Sequence, residues 1–90
     1  MNYKMHNQAV KLLKMMSNSN RLKVLTLLDS SKKPMHVSEI AGRLDIELTT
    51  LSNHLFKMRA MGLIKAKQSG THMFYTIHDP QVTKIIKLLS

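Results

Sequence analysis

The chain of 90 residues contains no cysteine, which excludes disulfides, thiolate metal sites and thiol redox sensing. Acidic residues are scarce as well: 5 Asp and Glu stand against 14 Lys and Arg, for a formal net charge of +9 and a pI near 10.2. That balance points to a polyanionic partner, nucleic acid first and an anionic membrane surface second. No apolar run approaches the ~18 residues of a membrane span. Nor is there the apolar centre of a signal peptide, since Lys4, His6, Asn7 and Gln8 interrupt it. A cytoplasmic protein with no membrane partner is expected. Repeats, low-complexity tracts and interdomain linkers are lacking too, so residues 1–90 read as one domain. So short a chain builds only a small private core, which makes oligomerisation an expectation.

What is present is organised around residues 36–63, HVSEIAGRLDIELTTLSNHLFKMRAMGL. These read as a helix, a tight turn and a second helix, the unit that places a helix in the DNA major groove. In the second helix, 48–60, Leu48, Leu51, Leu55 and Met58 form one apolar stripe at helical period. The opposite face carries Thr49, Asn53, Lys57 and Ala60, with Thr50 and Phe56 at its edges, and no acid occurs from Leu48 to Gly62. Short polar side chains on the first turns can reach base edges, while Lys57 and Arg59 can hold phosphates. Taken alone, this helix reads equally well as an ordinary solvated amphipathic helix. Its neighbours decide the matter.

Ahead of it, a first helix at about 4–16 places Met5, Ala9, Leu12, Leu13 and Met16 on one stripe, and Ser17-Asn18-Ser19-Asn20 breaks it. A second helix follows, with Leu22, Leu25 and Leu28 on one side and Val24 and Leu27 widening a face broad enough to be central. Pro34 closes the next loop, Met35-His36-Val37 reads as a short extended piece, and Ser38 is placed to cap a third helix. Beyond the second helix of the pair, Gly62 suits a left-handed helix end. Two strands, Leu63–Lys67 and Met73–Ile77, then form a hairpin with basic Lys65 and Lys67 and a tip containing Gly70. Asp79 and Pro80 start a last helix, at about 79–89, with Val82, Ile85, Ile86 and Leu89 on its apolar side. The expected fold is mainly α with a small β-hairpin wing over 65–75, a winged helix-turn-helix of order α-α-α-α-β-β-α. The two end helices have apolar faces that pairing across a two-fold axis would bury. Met5, Leu12, Leu13, Met16, Val82, Ile85, Ile86 and Leu89 are therefore the expected dimer interface.

Several segments occur in an order that resembles a known family. Asn18-Ser19-Asn20-Arg21-Leu22 with Val24-Leu25 enters the second helix, and Val37-Ser38-Glu39-Ile40-Ala41 starts the third. Leu51-Ser52-Asn53-His54-Leu55 holds a Ser-x-His-Leu core. Met61-Gly62-Leu63-Ile64 and Phe74-Tyr75 flank the wing. Together, over about residues 10–89, these resemble the ArsR/SmtB winged helix-turn-helix repressors of bacteria and archaea. The tail, Asp79-Pro80-Gln81-Val82 to Ile85-Ile86-Lys87-Leu88-Leu89, is similar to that of cysteine-free virulence regulators of the family. The resemblance implies DNA contacts from Leu48, Thr49, Ser52, Asn53 and His54, with wing help from Lys67, Thr71 and His72. Two residues depart from the family pattern: Glu47 stands where Ser is the common helix cap, and Leu48 where a polar reader, often Gln, is common. Leu48 also belongs to the apolar stripe, which ranks it below Thr49 as a base contact.

Many members of that family release DNA when metal binds, but no such site is expected here. The third-helix site uses cysteines, and His36 is a lone histidine in that region. At the last helix Asp79 matches the family's acid, but Gln81 replaces its His and the sequence ends at Ser90, ahead of the second ligand pair. A closed tetrahedral site needs four good ligands. A grouping of His72, His78 and Asp79 is unspecific, and the eight Met residues read as core filler and dimer packing. Enzyme function is set aside, because Ser52 and His54 lie two apart on a helix and cannot face one another. The expectation is a homodimeric, sequence-specific regulator of transcription on double-stranded DNA, most simply a repressor at a palindromic operator, without a cofactor and with control left to protein level or a regulatory protein partner. The alternatives are an activator or anti-silencer, a protein-interaction module favoured by Phe56, and charge-driven coating of any polyanion.

Overall fold

The computed structural model describes residues 3–90, with side chains from residue 6 onward. In chain order the elements are α1 (Tyr3–Met16), α2 (Ser19–Ser30), β1 (Met35–His36), α3 (Val37–Leu44), α4 (Leu48–Ala60), β2 (Ile64–Ser69), β3 (His72–Ile77) and α5 (Pro80–Leu89). The expected helices and hairpin are all there. The extended piece before α3 becomes a short strand, so the sheet has three antiparallel strands in the order β1-β3-β2.

Local chemistry sets the boundaries. The Asn18 side chain caps α2, accepting a hydrogen bond from the Arg21 N–H at 3.1 Å. The Arg21 guanidinium turns back to donate to the Met15 carbonyl at 2.6 Å, tying α1 to α2. Between α3 and α4 the chain turns on Asp45, in left-handed geometry at φ 53, and Ile46 is tucked into the core. Gly62, at φ 81, ends α4 as its position implied, and the Leu63 N–H donates back to the Met58 carbonyl. Asp79 caps α5 by accepting from the Gln81 N–H at 2.9 Å, with Pro80 in the first turn. The cap of α3 differs from the expectation. His36, not Ser38, is the N-cap, and its Nδ1 accepts from the Ser38 N–H at 3.3 Å. Because the helix already begins at Val37, Ser38 lies inside the first turn and is a donor to the cap.

The core gathers around α2, as its broad apolar face implied. Val24 and Leu25 are fully buried against Met35, Ile40, Leu51, Leu55, Met58 and Ile64. Truncating such a residue typically costs ~2–5 kcal/mol. The end helices also feed this core, more than the sequence implied. Leu12 and Met16 of α1 and Val82 and Ile86 of α5 are buried within the chain itself, and Thr83 donates to the Asp29 carboxylate at 2.7 Å to hold α5 on α2. Four residues of the expected dimer face are thus spent internally. What stays outside is Leu13, 53 % exposed, half-buried Ile85, and Leu89, 68 % exposed, while the Met5 side chain lies outside the described residues.

Candidate nucleic-acid interface

Helix α4 is anchored by its inner stripe and capped by an acid. Leu51, Leu55 and Met58 are buried, which fixes the rotation of the helix and turns Thr49, Ser52, Asn53 and Lys57 outward, all exposed. Leu48 departs from the stripe it was assigned to. It is 51 % exposed, because Ile46 just ahead of the helix and Leu51 within its first turn fill the core at this end. It therefore joins the outward surface beside Thr49.

Glu47 is the N-cap. Its carboxylate accepts from the Thr49 and Thr50 N–H groups at 2.9 Å each, and the Thr50 hydroxyl donates to it at 3.1 Å. The Thr49 backbone bond first, and then that of Thr50, hold the carboxyl well below the usual range, at about 2. The carboxylate is consequently ionised at any physiological pH. It occupies the amide donors at this helix end that would otherwise receive an anion. Thr50 is exposed, but its hydroxyl proton is committed to the cap, leaving only acceptor capacity.

His54 sits at the shoulder between α4 and α2. It is half-buried, and its Nδ1 is fully enclosed with no hydrogen-bond partner. Burial, then the charges of Arg21 and Lys57, push its pKa down, so the imidazole is neutral near pH 7. Toward a phosphate it offers at most a neutral N–H and no charge.

The wing is the hairpin β2–β3, in register from Ile64 opposite Ile77 to Ser69 opposite His72. Its turn is the pair Gly70–Thr71, with Gly70 at φ 63, a conformation that favours glycine in so tight a loop. Lys65, Lys67 and Thr71 are exposed. His72 is exposed too, and it is held: its Nδ1 lies 2.9 Å from Nε2 of His36, the residue that caps α3. The two rings meet edge to face with centroids 4.3 Å apart, and Phe74 lies 5.8 Å from His36. Residue spacing alone does not announce this pairing. His36 and His72 are 36 residues apart and meet because β1 pairs with β3, which sets His36 opposite Phe74, two residues from His72 on the same face. The signal that existed was the extended piece at Met35–His36 beside an alternating strand.

Other combinations do not form. His72 begins β3 and His78 follows its far end at Ile77, and the described residues contain no group of three or more His, Cys, Asp or Glu able to hold a metal. No helix among the described residues is long and apolar enough to cross a membrane.

Comparison with known proteins gives this geometry its context. A family described as a helix-turn-helix domain matches residues 16–65. The chain is 35 % identical over 82 residues to the transcriptional activator HlyU of Vibrio cholerae, covering 91 % of this chain and 74 % of HlyU. It is 38 % identical over 79 residues to the transcriptional repressor PagR of Bacillus anthracis, covering 88 % and 78 % of the two chains. The PagR crystal structure superposes with a TM-score of 0.87 at 35 % identity, over 99 % of this chain and all of that one. The homodimeric winged helix-turn-helix DNA-binding domain of Mb0332 from Mycobacterium bovis superposes with a TM-score of 0.82 at 29 % identity, over 96 % and 78 % of the two chains. HlyU and PagR are named as regulators of transcription, and the Mb0332 domain as a possible ArsR-family transcriptional regulator.

Proposed function

The chain belongs to the ArsR/SmtB type of winged helix-turn-helix transcriptional regulators, and from that premise we propose that it acts as a homodimer that reads a palindromic operator and represses transcription there. The observation that carries the reading is the outward face of α4: Thr49, Ser52, Asn53 and Lys57 are exposed on a helix whose rotation is fixed by buried Leu51, Leu55 and Met58, and no acid follows Glu47 before Gly62. Thr49, Ser52 and Asn53 read base edges, with Thr50 and His54 at the margins. Lys57, and on the wing Lys67, Thr71 and His72, engage the backbone or the adjacent groove. Leu13 and Leu89, left exposed on α1 and α5, form the seam of the dimer with the half-buried Ile85 between them and the core. Within this reading residues 1–90 work as one DNA-binding unit in the cytoplasm.

Repression is the simplest outcome for a protein that occupies a palindrome and blocks polymerase there. The similarity to HlyU, an activator, and to PagR, a repressor, is comparable, so the direction of control rests on this argument rather than on kinship. The test is fluorescence anisotropy at near-physiological salt, with a duplex from the gene's own upstream region and a scrambled control. A preference of ~10³-fold or more is the expected result for a specific site. Equal binding to both duplexes, followed by failure of a genome-wide selection to return any preferred fragment, would refute sequence reading. Sedimentation of the free protein at monomer mass across the micromolar range would refute the dimer.

A further inference from the structure

Phe56 has no packing role that accounts for it. It lies on the outward face of α4, 74 % exposed, on a chain with only two Phe. Its neighbours one turn away are Ser52 and Asn53 on one side and Arg59 and Ala60 on the other, all exposed. A surface built to dock an apolar partner gathers its hydrophobic groups into a contiguous patch, and this ring stands alone in polar and basic surroundings. An isolated aromatic on a basic, acid-free recognition surface matches another chemistry. Thymine displays a methyl group in the major groove, and apolar side chains discriminate it there by contact.

We infer that Phe56 is a specificity-determining residue that reads a thymine methyl group within each half-site. The inference rests on the DNA-reading function proposed above and names part of its sequence preference. Phe56 follows Thr49 by seven residues, a rise of ~10 Å along the helix. With α4 lying along the groove, that is about three base-pair steps at ~3.4 Å each. The thymine read by Phe56 therefore lies about three steps from the base read by Thr49. The polar first turns and the aromatic ring thus divide the half-site into a hydrogen-bonded part and a methyl-recognised part.

The test begins by selecting bound sequences from a random duplex pool with the full chain. Each thymine of the selected half-site is then replaced singly by deoxyuridine, which removes the methyl group and leaves the pairing edge intact. Binding is measured by anisotropy for the wild type, Phe56→Ala and Phe56→Leu, with a circular-dichroism melt of each to establish folding. The wild type is expected to lose about fourfold in affinity per half-site at one thymine, the effect of a single buried methyl(ene) group. Phe56→Ala should bind the thymine and uracil duplexes equally, and Phe56→Leu should keep part of the difference. A wild type indifferent to every uracil, or a uracil penalty that survives in Phe56→Ala, overturns the inference. Phe56→Ala that retains wild-type affinity and penalty while losing a protein partner does the same, and assigns the ring to that partner. Failure to select any sequence overturns the proposed function itself, a result separable from the other outcomes.

Discussion

Replacing Asn53 by Ala is the most informative single change at the proposed reading face. Asn53 is exposed in the middle of α4, and no hydrogen bond joins its side chain to another described residue. Nothing in the fold is lost with it, and because Ala is the better helix former the variant should be as stable as the wild type or slightly more so. A binding defect therefore cannot be blamed on unfolding. An Asn amide can engage adenine in a bidentate pair, and losing such a contact costs ~1–3 kcal/mol. With one contact in each half-site, the dimer loses ~2–6 kcal/mol of specific binding if the two are independent. No charge is removed, so the dependence of log K on log salt should keep its slope. The assay is competition anisotropy with the selected operator and a scrambled duplex over a salt series. Specific affinity should fall by about thirtyfold or more while scrambled binding is unchanged, and the base preference at one position should relax. Unaltered preference at every position, or an equal loss on both duplexes, would show that the reading face lies elsewhere on the protein.

Lys67→Ala should weaken operator and scrambled DNA alike and reduce the salt slope by about one per subunit, because an exposed wing lysine contributes charge without sequence information. Glu47 predicts a pH effect on stability. Its folded value of about 2 lies below the ordinary 4.5, so its cap contribution is full above the ordinary value and is lost as pH falls toward 2. Urea midpoints of Glu47→Gln should accordingly run flatter than those of the wild type over that window, and parallel curves would refute the assignment. Leu13→Glu combined with Leu89→Glu should shift sedimentation to the monomer while leaving the circular-dichroism spectrum intact, since both side chains are already mostly outside the core. Val82→Ala, in contrast, should lower the melting temperature whatever the oligomeric state, because Val82 is fully buried within its own chain.

Much of the architecture was written in local patterns, and the departures share a cause. Helical period located α1, α2, α4 and α5, and punctuation by Asn18, Pro34, Gly62 and Pro80 marked their ends within a few residues. Periodicity reports which residues share a face but not what covers that face. Leu48 keeps the period of Leu51 and Leu55 yet lies beyond the reach of the core. Leu12, Met16, Val82 and Ile86 have the periodicity of a dimer face, yet the core of their own chain already buries them. The cap of α3 went to Ser38 on residue preference, whereas pairing with β3 fixes β1 and so decides which side chain stands at the helix start. Strand pairing across 36 residues is a tertiary fact, and the contact between His36 and His72 lay beyond any reading of neighbours in sequence. On the candidate interface, exposure and polarity were legible because the inward stripe of α4 is regular. The commitment of Thr50 to the Glu47 cap was not, because it depends on side-chain geometry.

The histidine pair also imposes a polarity on the wing tip. A backbone amide can only donate, so Nδ1 of His36 must accept from Ser38, which leaves Nε2 as the ring nitrogen that carries a hydrogen. That proton points to His72, whose Nδ1 must in turn accept it. The remaining hydrogen of His72 is thereby forced onto its outer nitrogen. The hydrogen bonds run one way, from the start of α3 to the tip of the hairpin, and the donor that the tip presents is set by its neighbour on β1. A donor at that place is matched by phosphate oxygens and by the acceptor-only minor-groove edge of A·T pairs, and opposed by the amino group of guanine. The first helix of the helix-turn-helix thus governs what the wing can offer to a partner.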